Sequence, residues 1–134
     1  MINFTVGPVL SSEAVRAIGA QQVPYFRTSE FSEVMFENER LVKKFAKASE
    51  DSKVVFITGS GSASMETAIM NTLSPSDKAL VVNGGSFGHR FVELLELHHV
   101  PYAEIKLEHG KALKPEHLAP YEGKGYTAFL VNKH

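Results

Sequence analysis

A turn of four small residues has the composition of an anion-binding loop. Gly59, Ser60, Gly61 and Ser62 follow the apolar run VVFIT and precede ASMETAIMNTL, which has helical spacing. The first N–H groups of a helix have no intrahelical acceptor, and the helix dipole adds partial positive charge there. Glycine lets an anion approach the backbone, and serine hydroxyls add donors. A phosphate would fit, although the same residues also make an ordinary tight turn with a serine cap.

Two common nucleotide-binding motifs do not match this turn. A P-loop requires a lysine directly after its last glycine, but Ser62 follows Gly61. A dinucleotide fingerprint requires a third glycine where Ser64 stands, and an acidic residue after the next strand, which continues instead as VVNGG. The sequence therefore gives little support to a nucleotide site.

A second glycine-rich turn, NGGSFGHR at residues 83–90, contains one aromatic residue, Phe87. A tight turn has no need of a ring, and a ring at the carboxyl edge of a sheet could stack on a flat ligand. The alternative is a core phenylalanine at the start of the next helix. Together the two turns predict a phosphate cradle beside an aromatic platform.

Apolar, β-branched runs predict the strands that would position these turns, namely Val54–Thr58, Ala79–Val82, Ala103–Leu107 and Thr127–Val131. Helical spacing predicts one helix from about Ser62, with Met65, Ile69, Thr72 and Leu73 on one face, and another with Phe91, Leu94, Leu95 and His98 on one face. Two earlier helices are predicted, one from Ser11 and one from Ser32 to about Ala48.

The order of these elements and the character of the strands predict the fold class. Runs that are apolar throughout suit strands covered on both faces, as in a parallel sheet wrapped by helices. We therefore predict an α/β fold with a mainly parallel sheet. Its binding crevice would lie at the carboxyl ends of the strands, where both glycine-rich turns occur.

Composition limits the function classes. The 134 residues suit one domain, and the 14 basic residues nearly balance the 15 acidic ones, so we predict no general attraction to nucleic acid or membrane. No apolar run approaches the ~20 residues of a membrane span. Cysteine is absent, and the N-terminus MINFTVGPVLSS lacks the features of a signal peptide. These observations predict a cytoplasmic protein.

The histidines do not form a convincing metal site. His98 and His99 are adjacent, so a helix would point them in different directions. His109 and His117 lie in a polar connection in which Pro115 indicates a helix start. Glu66 is interpreted as an acidic residue that complements the helix dipole. We predict no metal.

Three segments together resemble a known family. They are FTVGP at Phe4–Pro8, FRTSEF at Phe26–Phe31, and the long stretch Thr58–Arg90 that holds both glycine-rich turns. In combination they resemble class V aminotransferases, which are fold-type-I pyridoxal-phosphate enzymes such as alanine–glyoxylate, serine–pyruvate and 2-aminoethylphosphonate–pyruvate aminotransferases. The chain departs from the family pattern at Val6, where a proline is usual, and at Phe26, where a histidine is usual.

The resemblance implies roles for particular residues. It implies that Ser60, Gly61 and Ser62 bind the phosphate of pyridoxal 5'-phosphate, and that Phe87 stacks on the pyridine ring, where many relatives have tryptophan or tyrosine. The resemblance also places Gly7 and Pro8 on the substrate side of the cleft. It places Arg27 near the active site or a dimer interface, although a solvated arginine would explain that residue equally well.

The resemblance further implies that residues 1–134 are the N-terminal segment and first part of the pyridoxal-phosphate-binding large domain of a longer, homodimeric enzyme. The Schiff-base lysine and the aspartate that pairs with the pyridinium nitrogen would lie beyond His134, so this piece would contain no catalytic residue and would be inactive alone. The family inserts later strands between the equivalent of Val54–Thr58 and the other three, so that strand would lack neighbours here.

The expected reaction is transfer of an amino group from an amino acid or amino-phosphonate to a 2-oxo acid such as pyruvate or glyoxylate. Two alternatives remain open. A cysteine desulfurase-like lyase shares the fold, but such relatives usually carry a histidine where Phe87 stands. A non-catalytic alternative takes the 134 residues as the entire gene product, an anion-binding α/β module.

Overall fold

A computed structural model of the chain describes Gly7 and residues 9–132. The chain divides into two units, Met1–Phe56 and Ile57–His134. All four predicted cofactor-binding residues belong to the second unit. Of the two predicted substrate-side residues, Gly7 is exposed in the first unit, and Pro8 lies outside the described residues.

Two helices form the described part of the first unit, α1 (Glu13–Gly19) and α2 (Ser29–Ala46). The helix predicted to begin at Ser32 begins instead at Ser29, because the Thr28 side chain caps it by accepting from the Phe31 N–H at 3.3 Å. Neither helix contains a buried residue, so the apolar stripe of α2 is exposed.

The second unit contains α3 (Gly61–Thr72), β1 (Ala79–Asn83), α4 (Ser86–Leu97), β2 (Tyr102–Lys106), α5 (Pro115–Leu118), a short 3-10 helix (Ala119–Tyr121) and β3 (Ala128–Val131). All strand pairs are parallel, and the strand order is β2-β1-β3. The predicted α/β class is confirmed, and three of the four predicted strands occur within a residue or so of their expected positions.

The predicted strand Val54–Thr58 is wrong, since the described sheet has three strands and this segment is not one of them. Val55 and Ile57 are 77% and 62% exposed. A strand exists only where a neighbour accepts and donates its ladder hydrogen bonds, and none of the three described strands does so for Val54–Thr58, which agrees with the expectation that this segment lacks neighbours here. An apolar, β-branched run therefore indicates only that a segment is able to form a strand. Whether it does so depends on a neighbouring strand with which it can pair.

The core of the second unit lies on both faces of β1, whose first four residues are buried. One face packs Val81 against Ile69 of α3 and Leu95 of α4. The other packs Leu80, Val82 and Ile105 under the segment that contains α5. Helices α3 and α4 thus share one face of the sheet, and each begins within one of the predicted glycine-rich motifs.

Within the described residues, no helix has both the length and the apolar character needed to cross a membrane.

Candidate functional site

The first turn of α3 presents two amide donors to solvent. The helix begins at Gly61, and Ser60 is its N-cap, so the predicted start near Ser62 is moved by one residue. The Ser60 Oγ accepts from the Ala63 N–H at 3.2 Å. The Gly61 and Ser62 N–H groups occupy the first two helical positions, where no intrahelical acceptor exists. They can therefore donate to an external anion, and the Ser60 hydroxyl proton is still available to do so.

The two glycines of this turn have different surroundings. A Cβ on Gly59 would lie 3.1 Å from the Ala63 Cβ, whereas a Cβ on Gly61 would have no atom within 4 Å. Gly59 therefore allows the turn to pack tightly on the helix. At Gly61 no side chain blocks the approach of an oxyanion to the backbone next to the two amides.

Phe87 is the second residue of α4 and is 41% exposed. It is not among the buried residues on either side of the described sheet. Helices α3 and α4 contact each other on the same face of the sheet. The structure thus places the Ser60–Ser62 turn and the Phe87 ring on adjacent helices of one unit.

Gly88, in the first turn of α4, lies against the end of β1. A Cβ at this position would lie 2.7 Å from the carbonyl oxygen of Val82 and 2.8 Å from the Cα of Asn83. Both are backbone atoms of β1, which cannot move without disturbing the sheet. Glycine at this position lets the first turn of α4 rest directly on the end of β1.

A polar network that the sequence did not indicate surrounds the end of β1. The Asn83 side-chain amide donates to Glu104 Oε1 at 2.6 Å, and its Oδ1 accepts from the Gly85 N–H at 3.4 Å. The other carboxylate oxygen of Glu104 lies 3.3 Å from Lys106 Nζ. A cleft of about 390 Å³ opens here, and it is lined by Asn83, Gly85, Ser86, His89, Lys106, Leu107 and His109.

Known proteins that are similar to this chain include several aminotransferases. No family model matches the sequence. An uncharacterized aminotransferase of Helicobacter pylori is 30% identical over 108 residues, which are 81% of this chain and 28% of that protein. The 42 kDa subunit of a soluble hydrogenase of Anabaena cylindrica is 34% identical over 113 residues, or 84% of this chain and 29% of that protein.

A third relative is the 2-aminoethylphosphonate–pyruvate transaminase of Bacillus cytotoxicus, 29% identical over 120 residues, which are 89% of this chain and 32% of that protein. The aspartate aminotransferase of Thermus thermophilus, a solved structure, is 26% identical with a TM-score of 0.73 and is matched over 90% of this chain and 33% of its own. The homologues of the chain include aminotransferases, and the chain covers the N-terminal part of them.

The fold agrees with this assignment. The ureidoglycine–glyoxylate aminotransferase of Bacillus subtilis, at 21% identity, superimposes with a TM-score of 0.76 over 88% of this chain and 30% of its own. Structural neighbours of this kind are fold-type-I enzymes. The chain spans about a third or less of the length of each of these proteins.

One interpretation from the sequence needs correction. Glu66 was assigned to the helix dipole, but α3 begins at Gly61, which places Glu66 in the second turn. Its Oε1 lies 2.8 Å from Nε2 of His98, at the end of α4. Glu66 therefore joins α3 to α4, the two helices that bear the candidate site. Helical periodicity placed His98 on the correct face but could not show its partner.

The other residues singled out from the sequence have ordinary surroundings. The Arg27 guanidinium lies 5.0 Å from the ring centroid of Phe26 and is exposed. His117 Nδ1 accepts from the Lys114 N–H at 3.0 Å, at the start of α5. Among residues 7 and 9–132, no group of three or more potential metal ligands converges.

Proposed function

We propose that the full-length protein, meaning the product of the complete source gene, is a pyridoxal-phosphate-dependent aminotransferase. It would transfer an amino group from an amino acid or amino-phosphonate to a 2-oxo acid such as pyruvate or glyoxylate, as a homodimer in the cytoplasm. Its homology to aminotransferases supports this activity. The range of relatives, from aspartate to 2-aminoethylphosphonate and ureidoglycine enzymes, leaves the amino donor open.

The single observation that carries the proposal is the first turn of α3. The Gly61 and Ser62 amides have no intrahelical acceptor, and the position of a Gly61 Cβ is open to 4 Å. Ser60 adds a hydroxyl at the same point. A phosphate dianion satisfies these donors and gains from the dipole of a helix that runs for 12 residues.

Phe87 would supply the second contact with the cofactor. The ring is part-exposed in the first turn of the helix that neighbours α3. An aromatic face can stack on a pyridine ring and exclude water from one side of it. Bound pyridoxal phosphate supplies the electron sink that makes the α-hydrogen of an amino acid removable. Gly7 and Pro8 remain proposed for the substrate side.

An amino-transfer assay on the full-length protein tests the activity. The protein is loaded with pyridoxal phosphate and offered alanine, serine, aspartate, cysteine or 2-aminoethylphosphonate, each with pyruvate or glyoxylate. With at least one donor we expect glyoxylate to be converted to glycine, or pyruvate to alanine, as measured by mass spectrometry. No conversion should occur when either substrate is omitted.

Two other outcomes would contradict the proposal. Release of sulfide from cysteine without amino transfer would favour the desulfurase-like alternative. Absence of any transfer, in a protein that still binds phosphate, would favour the non-catalytic module.

A further inference from the structure

We propose that Glu104 is a positioning residue for Phe87, acting through Asn83 and the turn at Gly84–Gly85. This inference rests on the proposed function, because it assumes that Phe87 contacts the cofactor. Glu104 lies on β2, and Asn83 is the last residue of β1, at the carboxyl edge of the sheet. Neither residue was indicated by the sequence as part of the site.

The connection that leads to Phe87 has little rigidity of its own. Gly84 and Gly85 connect β1 to α4, and glycine has more backbone freedom than any other residue. Gly85 is the N-cap of α4, and being glycine it supplies no side-chain cap. Leu95 in the core and Gly88 against β1 already hold α4 on the sheet, so a side-chain contact at this connection would refine the direction of the first turn of α4, which contains Phe87.

Asn83 makes the required contacts with the turn. Its Oδ1 accepts from the Gly85 N–H at 3.4 Å. A Cβ on Gly88 would lie 3.3 Å from that same oxygen, so the first turn of α4 packs directly against the Asn83 side chain. Asn83 thus touches the chain on both sides of Phe87.

Glu104 decides which way the Asn83 amide points. A carboxylate can only accept hydrogen bonds, so it requires the NH2 group of Asn83, and the bond is 2.6 Å long. The amide oxygen is then directed to Gly85. The Glu104 side chain is only 16% exposed, so water competes weakly for this bond, whereas its other partner, Lys106, is 78% exposed.

Three variants of the full-length protein separate this role from a general structural one. Glu104→Ala removes the acceptor, Glu104→Gln keeps an acceptor of the same shape, and Lys106→Ala removes only the exposed ion pair. The readouts are the dissociation constant of pyridoxal phosphate, the visible circular dichroism of the bound cofactor, and the melting temperature.

For Glu104→Ala we expect the dissociation constant to rise about three- to tenfold, which is less than one charge-assisted hydrogen bond is worth because Glu104 acts on the cofactor only through Asn83, and we expect the cofactor dichroism to fall. Glu104→Gln should restore most of both, and Lys106→Ala should change neither because exposed ion pairs contribute little. In an Asn83→Ala background, Glu104→Ala should have no further effect on cofactor affinity, since it acts through Asn83.

The outcomes distinguish this inference from the proposed function. Wild-type protein that does not bind pyridoxal phosphate would contradict both. Wild-type binding that Glu104→Ala leaves unchanged, in affinity and dichroism, would overturn the positioning role alone. An equal loss in the wild-type and Asn83→Ala backgrounds would do the same. If Glu104→Ala is too unstable to assay, Asn83→Ala decides: reduced cofactor dichroism in that variant supports the positioning role, and wild-type dichroism would overturn it.

Discussion

Individual glycines of the two turns meet different physical requirements. Gly88 is required by contact, because β1 backbone atoms occupy the space where a Cβ would be. Gly61 has no such contact, and its value would lie in the room it leaves for a ligand. The sequence showed the glycines but could not separate these cases, because the difference depends on distances between α4 and β1 that only the folded chain has.

This difference predicts opposite effects on stability. Gly88→Ala should lower the free energy of unfolding by about 1–3 kcal/mol, the usual cost of forcing extra volume into a packed site. Gly61→Ala is the matched control, and its stability should be unchanged or slightly higher because alanine favours helix more than glycine does. Denaturant unfolding of both variants measures this, and equal stabilities would show that α4 does not rest on β1 as described.

Phe87 can be tested by exchanging its ring. Phe87→Ala should raise the dissociation constant of pyridoxal phosphate about three- to tenfold, the range expected when an aromatic pair is lost. Phe87→Trp keeps a stacking face and should bind about as well as the wild type. Phe129→Ala, at an exposed phenylalanine of β3, is the control and should bind normally. Tight binding by Phe87→Ala would remove Phe87 from the site.

At the scale of elements, the local sequence pattern predicted the helices and strands that local interactions determine. The helices follow from apolar spacing and caps, and β1, β2 and β3 follow from apolar runs. Val54–Thr58 shows the limit, because its composition is that of a strand but pairing depends on residues distant in sequence. The Asn83–Glu104 bond and the Glu66–His98 pair were missed for the same reason, since each joins two elements.

The connection from α3 to β1 has a pH dependence that can be tested. Asp77 Oδ2 accepts from the Ser74 N–H at 2.9 Å and from its hydroxyl at 2.8 Å. Hydrogen bonds from the Ser74 side chain and backbone, and from Thr127, lower the pKa of Asp77. A lowered pKa means that the stabilisation is present above the unfolded value of ~3.9 and is lost as pH falls through the folded value.

Asp77→Asn, which keeps an acceptor but removes the charge, should therefore melt below the wild type at neutral pH. The difference in melting temperature should stay constant down to about pH 5 and shrink as the pH falls below about 4, because the wild-type carboxylate becomes protonated. Thermal unfolding of both proteins across pH 2–7 measures this. A difference that does not depend on pH would mean that the Asp77 charge does not stabilise this turn.

At the scale of the whole molecule, the described core belongs to the second unit. The helices of the first unit contain no buried residue, whereas the second unit covers both faces of its parallel sheet. The candidate cofactor contacts lie in this better-packed unit, at the N-termini of two helices that share one face. The sequence predicted all four of these candidate cofactor contacts, and their assigned role depends on whether the α3 turn binds a phosphate.

A comparison of pyridoxal phosphate with pyridoxal tests that central claim most directly. Dissociation constants of both compounds are measured for the full-length protein and for Ser62→Asp. Two hydrogen bonds to a charged group are worth about 3–6 kcal/mol, so the phosphate should improve affinity about 100-fold or more. Ser62→Asp places a negative charge beside the phosphate and should remove most of that advantage while leaving pyridoxal binding unchanged. Equal affinity for the two compounds in the wild type, or a phosphate advantage that survives Ser62→Asp, would contradict the assignment of the α3 turn as the phosphate cradle.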